Sequence, residues 1–201
     1  MNKRLYFLVI LLYSLGLQAQ TSTEKLSVLM KKLGKETQTL QSHFEQEKFS
    51  PLLENTTKSS GQLYFKQPKS ICWKYQGEKP SSIVFNEEKA FLESNGKRKE
   101  YDLEKNPIFR KMNDLIAKSV QGQVMDQKEF NVSVVEQGGY YQVEMKPKVG
   151  AVRLFVKEIR LKVNTKGLVE ALTIFSKNGD WTKILFSKQV VNGQLEEGLF
   201  R

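Results

Sequence analysis

Turn signals recur at short intervals along this 201-residue chain: Lys66-Gln67-Pro68, Asn95-Gly96, Gly138-Gly139, Lys166-Gly167, Asn178-Gly179 and Asn192-Gly193. Asn-Gly and Gly-Gly supply the left-handed backbone of a tight hairpin. So short a connection returns the next strand beside the last, running the opposite way. Between the turns polar and apolar side chains alternate, which places alternate residues on opposite faces of a sheet. After the Lys-Gln-Pro turn, Ile71, Trp73 and Tyr75 fall on one face while Ser70, Cys72 and Lys74 fall on the other. A chain written this way is confined to an antiparallel meander with one strongly apolar face, and that face must be covered.

The alternation assigns strands to 37–49, to both arms of a 61–75 hairpin, and to 81–85, 89–93, 97–101, 130–135, 141–145, 158–163, 168–175 and 181–187. A weaker region follows at 190–199, for about ten strands in all. Leu40, Ser42 and Phe44 share one face of the first strand. Ser50-Pro51 and the polar run 54–60 read as a loop, with Leu52 and Leu53 placed to dock onto the body. Thr21-Ser-Thr-Glu24 is a capping box opening a helix with Leu26, Leu29, Met30 and Leu33 at helical spacing, and Gly34 is its expected stop. Asn106-Pro107 opens a second helix from 108 to about 120, with Phe109, Met112, Ile116 and Val120 in one stripe and Leu115 beside them. Strands in series, broken by a helix, give an α+β antiparallel architecture in one domain over 21–201.

Residues 1–20 read as a secretory signal: Lys3 and Arg4, an apolar run from Leu5 to Leu17, then a short polar end. The run is shorter than the roughly 20 residues that span a bilayer. Cleavage near residue 19 or 20 leaves an exported protein of formal charge +8, down from +10. The remaining basic residues are spread among the strands, which suits a solvated surface and argues against a nucleic-acid groove. Cys72, the one cysteine, forms no internal disulfide, so packing holds the fold.

Little here can move protons, attack, or hold a metal. The single histidine, His43, and Cys72 sit on different strands, on faces opposite the apolar ones, where a polar-surface role is the simpler reading. No phosphate loop or dinucleotide fingerprint is present. Neither enzyme activity nor a cofactor is expected.

The leading helix, Phe44-Glu-Gln46, the Gly61–Tyr75 hairpin with Pro68, Trp73 and Tyr75, the segment from Tyr141 to Lys148 that ends in Pro-Lys, and Gly179-Asp-Trp-Thr182 with Ile184 and Phe186 together resemble the LolA family of periplasmic lipoprotein carriers. The likeness covers essentially the whole chain after the signal. It implies an incomplete antiparallel β-barrel with helices as a lid over a concave apolar face that holds acyl chains. It also implies an inner-membrane lipoprotein-releasing transporter as donor and an outer-membrane acceptor as recipient. Two positions depart from the family pattern. Gln67 stands where an arginine helps hold the lid and supports transfer, and Ile71 replaces an aromatic residue.

On this resemblance the cavity and lid are expected to comprise Leu63, Phe65, Ile71, Trp73, Tyr75, Ile83, Phe85, Phe91, Phe109, Met112, Ile116, Leu172 and Ile174, with Gln67 at a lid or transfer position. The expected function is a monomeric carrier that shuttles lipoproteins, or other acylated lipids, between the membranes. Two alternatives stand beside it: a half-barrel sensor or scaffold that binds a protein partner, and a carrier of a different lipid intermediate.

Overall fold

In the computed structural model, eleven strands form one sheet in which every neighbouring pair is antiparallel. The structure describes residues 22–78, 80–86, 88–150 and 152–201, and the side chains at 107–109, 111, 112 and 115 are outside that description. The strands are β1 (Thr39–Ser50), β2 (Asn55–Lys66), β3 (Ser70–Gln76), β4 (Ser81–Phe85), β5 (Lys89–Ser94), β6 (Lys97–Asp102), β7 (Phe130–Gln137), β8 (Tyr140–Pro147), β9 (Val156–Asn164), β10 (Val169–Ser176) and β11 (Trp181–Val191). Their spatial order is β6-β5-β4-β3-β2-β1-β11-β10-β9-β8-β7. The chain thus runs outward from β1 to one edge, crosses through helix α2 (Pro107–Val120), and meanders back from the other edge to close on β1 through β11. The edges β6 and β7 do not pair, so the barrel is incomplete. Helix α1 covers 22–36, and α3 (Val152–Phe155) is a single turn. The expected signal at 1–20 lies outside the described residues.

Register explains which side chains meet. Leu40, Phe65, Ile71, Phe85 and Ala90 form one row across β1 to β5, and Leu63, Trp73, Ile83 and Leu92 form another across β2 to β5. Both rows face the concave side, because cross-strand partners share a face. Phe44 pairs with Gly61, where an added Cβ would lie 2.9 Å from the Phe44 ring and 1.9 Å from the Lys74 carbonyl oxygen. Only glycine leaves room for that ring, whose centroid is 4.8 Å from Trp73 and 5.2 Å from Tyr75.

Two buried clusters fill the concavity. Leu26 and Met30 of α1 pack with Phe130, Tyr141, Met145, Leu161 and Val163 of the β7–β9 half. Ala117 of α2 packs with Phe44, Phe65, Ile71, Trp73, Phe85 and Ile184 of the other half, and Leu172 packs against both. The helices meet through glycines. A Cβ on Gly34 would sit 2.1 Å from the Gln121 carbonyl carbon, and one on Gly122 would sit 2.0 Å from the Met30 carbonyl oxygen. Gly34 therefore permits a backbone crossing and does not stop α1, which continues to residue 36.

Several expectations are corrected. Residues 55–60 are strand, extending β2 along the far half of β1, although their polar side chains carry no apolar alternation. The turn shrinks to 51–54, and Leu52 and Leu53 are exposed instead of docked. β11 does not end at Ser187. It passes a bulge at Lys188, with φ +49°, and continues to Val191, while 192–201 is not strand. Asn106 precedes α2, but its side-chain amide donates to the Asp102 carbonyl oxygen and leaves the helix N–H groups uncapped.

Candidate functional site

A cavity of about 350 Å³ lies between the concave face and the two helices, at the lower end of the roughly 300–1,000 Å³ range of ligand pockets. Its sheet wall is Leu63, Trp73, Tyr75, Ile83, Phe85, Leu161, Leu172, Ile174, Ile184 and Phe186. Ile116, Ser119 and Val120 of α2, Leu33 of α1 and Val124 cover it. None of the described lining residues carries a charge. The polar ones are largely engaged within the protein. The Ser42 hydroxyl donates to the His43 and Ser187 carbonyl oxygens, the Gln189 amide to the Val169 carbonyl oxygen, and the Tyr75 hydroxyl to Gln46 Oε1. Burial pushes the Tyr75 phenol pKa upward, against smaller opposing effects of Gln46 and Trp73, so the ring stays neutral at physiological pH. Trp73 Nε1 alone among the described lining atoms is buried with no partner. A charge-free surface whose hydrogen-bonding groups, Trp73 Nε1 apart, are largely engaged within the protein offers dispersion and desolvation, and suits hydrocarbon.

Of the residues expected at the cavity, Leu63, Trp73, Tyr75, Ile83, Phe85, Ile116, Leu172 and Ile174 line it. Phe65 and Ile71 face the same side but are completely buried in the cluster that supports the wall. Phe91 is misplaced. It pairs with Val84, points to the convex side, and packs with Tyr64, Cys72 and Val84 under Arg98. In Lys89–Glu93 the concave positions belong to Ala90 and Leu92, and one large aromatic outweighed the true parity of a short strand. The side chains of Phe109 and Met112 lie outside the described residues. Missed lining residues include Leu33, Val124, Ile184 and Phe186. The alternation of Ile184 and Phe186 carried a usable signal. Leu33 belongs to the apolar stripe of α1 and so carried a signal too, whereas no sequence pattern places Val124 against the sheet.

Gln67 does not line the cavity. Its amide nitrogen donates to the carbonyl oxygens of Thr37 at 2.6 Å and Gly34 at 3.2 Å, tying the β2–β3 turn to the end of α1. The same turn holds α2, through Gln121 Nε2 donating to the Pro68 carbonyl oxygen at 2.7 Å and a Lys69–Asp114 ion pair at 3.1 Å. One turn thus fastens both covering helices.

Cys72 is also corrected. It does face away from the cavity, yet it is completely buried under the C-terminal segment with Leu195, Leu199 and Phe200, and burial pushes its thiol pKa from 9.0 to about 11. His43 pairs with Gln62 and Cys72 with Tyr64, so β2 separates them by two strand spacings, roughly 10 Å, and they form no dyad. No helix among the described residues is long and apolar enough to cross a membrane.

No curated protein matches the chain. Similar folds occur in a DUF1329 family protein from Desulfovibrio piger (12% identity, 92% of this chain and 97% of that chain, TM-score 0.49) and a LolA superfamily protein from Nitrosomonas europaea (10%, 90% and 97%, 0.44). Another is the lipoprotein LppX of Mycobacterium tuberculosis (8%, 86% and 98%, 0.46). Residues 35–201 match the family described as outer membrane lipoprotein carrier protein LolA, a span that includes every strand and α2. With that match over most of its length, and with the unclosed sheet and covering helices to go with it, the chain belongs to the LolA family of carrier proteins.

Proposed function

We propose that the protein is a periplasmic carrier that shields acyl chains in the charge-free cavity between its concave sheet and α1 and α2. The cargo is the acyl moiety of lipoproteins moving from the inner to the outer membrane. The observation that carries this reading is the lining itself: large apolar side chains from β2, β3, β4, β10 and β11 with no charged residue among those described. Each buried methylene contributes about 0.8 kcal/mol, so one long chain supplies on the order of 10 kcal/mol before ordering costs. Such a ligand cannot cross water unaided. Delivery then requires the cover to loosen, since a ligand moves only when the open or acceptor-bound state lowers its free energy. The ties from Gln67 and Gln121 to the β2–β3 turn are the natural points of control. Gln67 makes its tie with a neutral amide where the family pattern has a cation, so the hydrogen bonds that a partner would break there are not charge-assisted.

The decisive experiment is purification from native envelopes, extraction of the bound material and mass spectrometry. Acylated protein fragments support the lipoprotein reading. Free lipid of one class narrows the cargo to that lipid, and protein without acyl ligand that co-purifies with a stable protein partner overturns the carrier reading.

A further inference from the structure

Five exposed large apolar side chains collect at one rim of the sheet. Leu52 and Leu53 lie in the β1–β2 turn, and Val149, Leu154 and Phe155 lie between β8 and β9. The register sets the two groups level. Phe49 pairs with Trp181, Trp181 with Phe175, and Phe175 with Glu158. Leu52 is three residues beyond that row on β1, and Phe155 is three residues beyond it on β9, on the same side. They are about three strand spacings apart, roughly 15 Å. Leu52 is 90% exposed, Leu154 69% and Phe155 67%, so most of each tip meets solvent.

The β8–β9 connection is also cationic. Lys148 and Arg153 are its charged residues, Lys157 follows at the start of β9, and there is no carboxylate from 148 to 157. Lys177 joins them from the β10–β11 turn, its backbone N–H donating to the Phe155 carbonyl oxygen at 2.9 Å. Lys148, Val149, Arg153, Leu154 and Lys177 line one shallow depression. Of the nearby carboxylates, Glu144 and Glu158 are engaged by Lys146 and Arg160, Asp180 accepts a hydrogen bond from Asn178 Nδ2 in the Lys177 turn, and Glu54 is exposed at the end of the β1–β2 turn.

We propose that this rim docks the protein on an anionic lipid bilayer. Leu52, Leu53, Leu154 and Phe155 enter the headgroup boundary while Lys148, Arg153, Lys157 and Lys177 meet lipid phosphates. Apolar tips on separate protruding turns, with cations beside them, fit an interface of fluid depth. A protein partner of ordinary size instead asks for a contiguous patch with an apolar centre. The geometry also orients the cavity. Ile159, Ile174 and Thr182 line it and lie one residue inside the same row, so docking sets that end of the cavity against the membrane. That last consequence rests on the carrier reading, whereas the docking surface does not.

Co-sedimentation of the protein without residues 1–20, whose basic start and apolar run would themselves bind lipid, tests the proposal, using phosphatidylcholine vesicles alone and phosphatidylcholine doped with phosphatidylglycerol. Binding is expected only to the doped vesicles, and to weaken with salt. Arg153→Gln with Lys177→Gln should lower the partition constant about thirtyfold, at roughly fivefold per cation. Leu154→Asp with Phe155→Asp should lower it at least tenfold. All four positions are exposed or rim residues, and thermal melts of the variants report whether each remains folded. Lys97→Gln with Lys99→Gln, an equal charge change on exposed positions of β6, should leave binding unchanged. The proposal fails if wild-type protein ignores the doped vesicles, if it binds both kinds alike, or if the β6 pair loses as much as the rim pair. Uptake of a dansyl-labelled fatty acid without vesicles separates the two readings. Vesicle binding through the rim with no probe uptake leaves the docking surface standing and removes the carrier function.

Discussion

Leu172→Trp should block the cavity while leaving the fold intact. Leu172 is half-buried on β10, pairs with Ile184 and Leu161, packs against both core clusters and lines the cavity near its middle. Tryptophan adds roughly six non-hydrogen atoms, and if these occupy space that an acyl chain fills they displace about four or five methylenes. At about 0.8 kcal/mol each, that is about 3–4 kcal/mol of binding, or on the order of a several-hundredfold loss of affinity. Stability should move the other way or not at all, because the added ring enters existing space of about 350 Å³. Overpacking a filled core would cost about 1–3 kcal/mol instead. The assay is fluorescence titration with a dansyl-labelled fatty acid, paired with a thermal melt of each protein. Unchanged affinity in a stably folded variant would refute the reasoning, since the chain would then lie elsewhere. A variant that melts much lower and still binds would show that the space was never available to a ligand.

Two further outcomes follow from local geometry. Gln67→Ala removes two hydrogen bonds to the carbonyl oxygens of Gly34 and Thr37. It should cost about 1–3 kcal/mol, or very roughly 2–10 °C in melting temperature, and speed probe release. An unchanged melt and off-rate would mean that the turn does not fasten α1. Cys72 has its pKa raised from 9.0 to about 11 by burial, with Lys74 opposing, so the fold favours the neutral thiol. Its contribution is fully present below pH 9 and is lost as pH rises through about 11, at most about 3 kcal/mol in all. The stability difference between wild type and Cys72→Ala should narrow over that window, a comparison that cancels the nearby tyrosines, and a difference flat with pH would contradict the burial argument.

The meander was legible because hairpin turns and two-residue alternation are local. Ile71, Trp73 and Tyr75 fall on one face, and Ile83 and Phe85 join them through short connections. The same locality misled at Phe91, where five residues and one aromatic ring left the parity of β5 to be set by pairing with β4. It also missed 55–60, whose serines and threonines become strand because β1 offers partners. Gly34 looked like a helix stop since a crossing with Gln121 has no trace in the local pattern. Cys72 looked like surface because its cover, Leu195, Leu199 and Phe200, comes from more than a hundred residues away.

The sequence by itself determined the antiparallel order of neighbouring strands, the apolar face they share and the helix between β6 and β7, all consequences of turn chemistry and side-chain period. Tertiary structure alone decided that β11 would close against β1, that glycines at 34 and 122 would let the covering helices touch, and that Val124 would help roof the cavity. It also set Leu52 level with Phe155 on one rim. These are contacts between segments distant in the chain, where register and close approach arise from the joint packing of surfaces and leave no periodic mark in either segment.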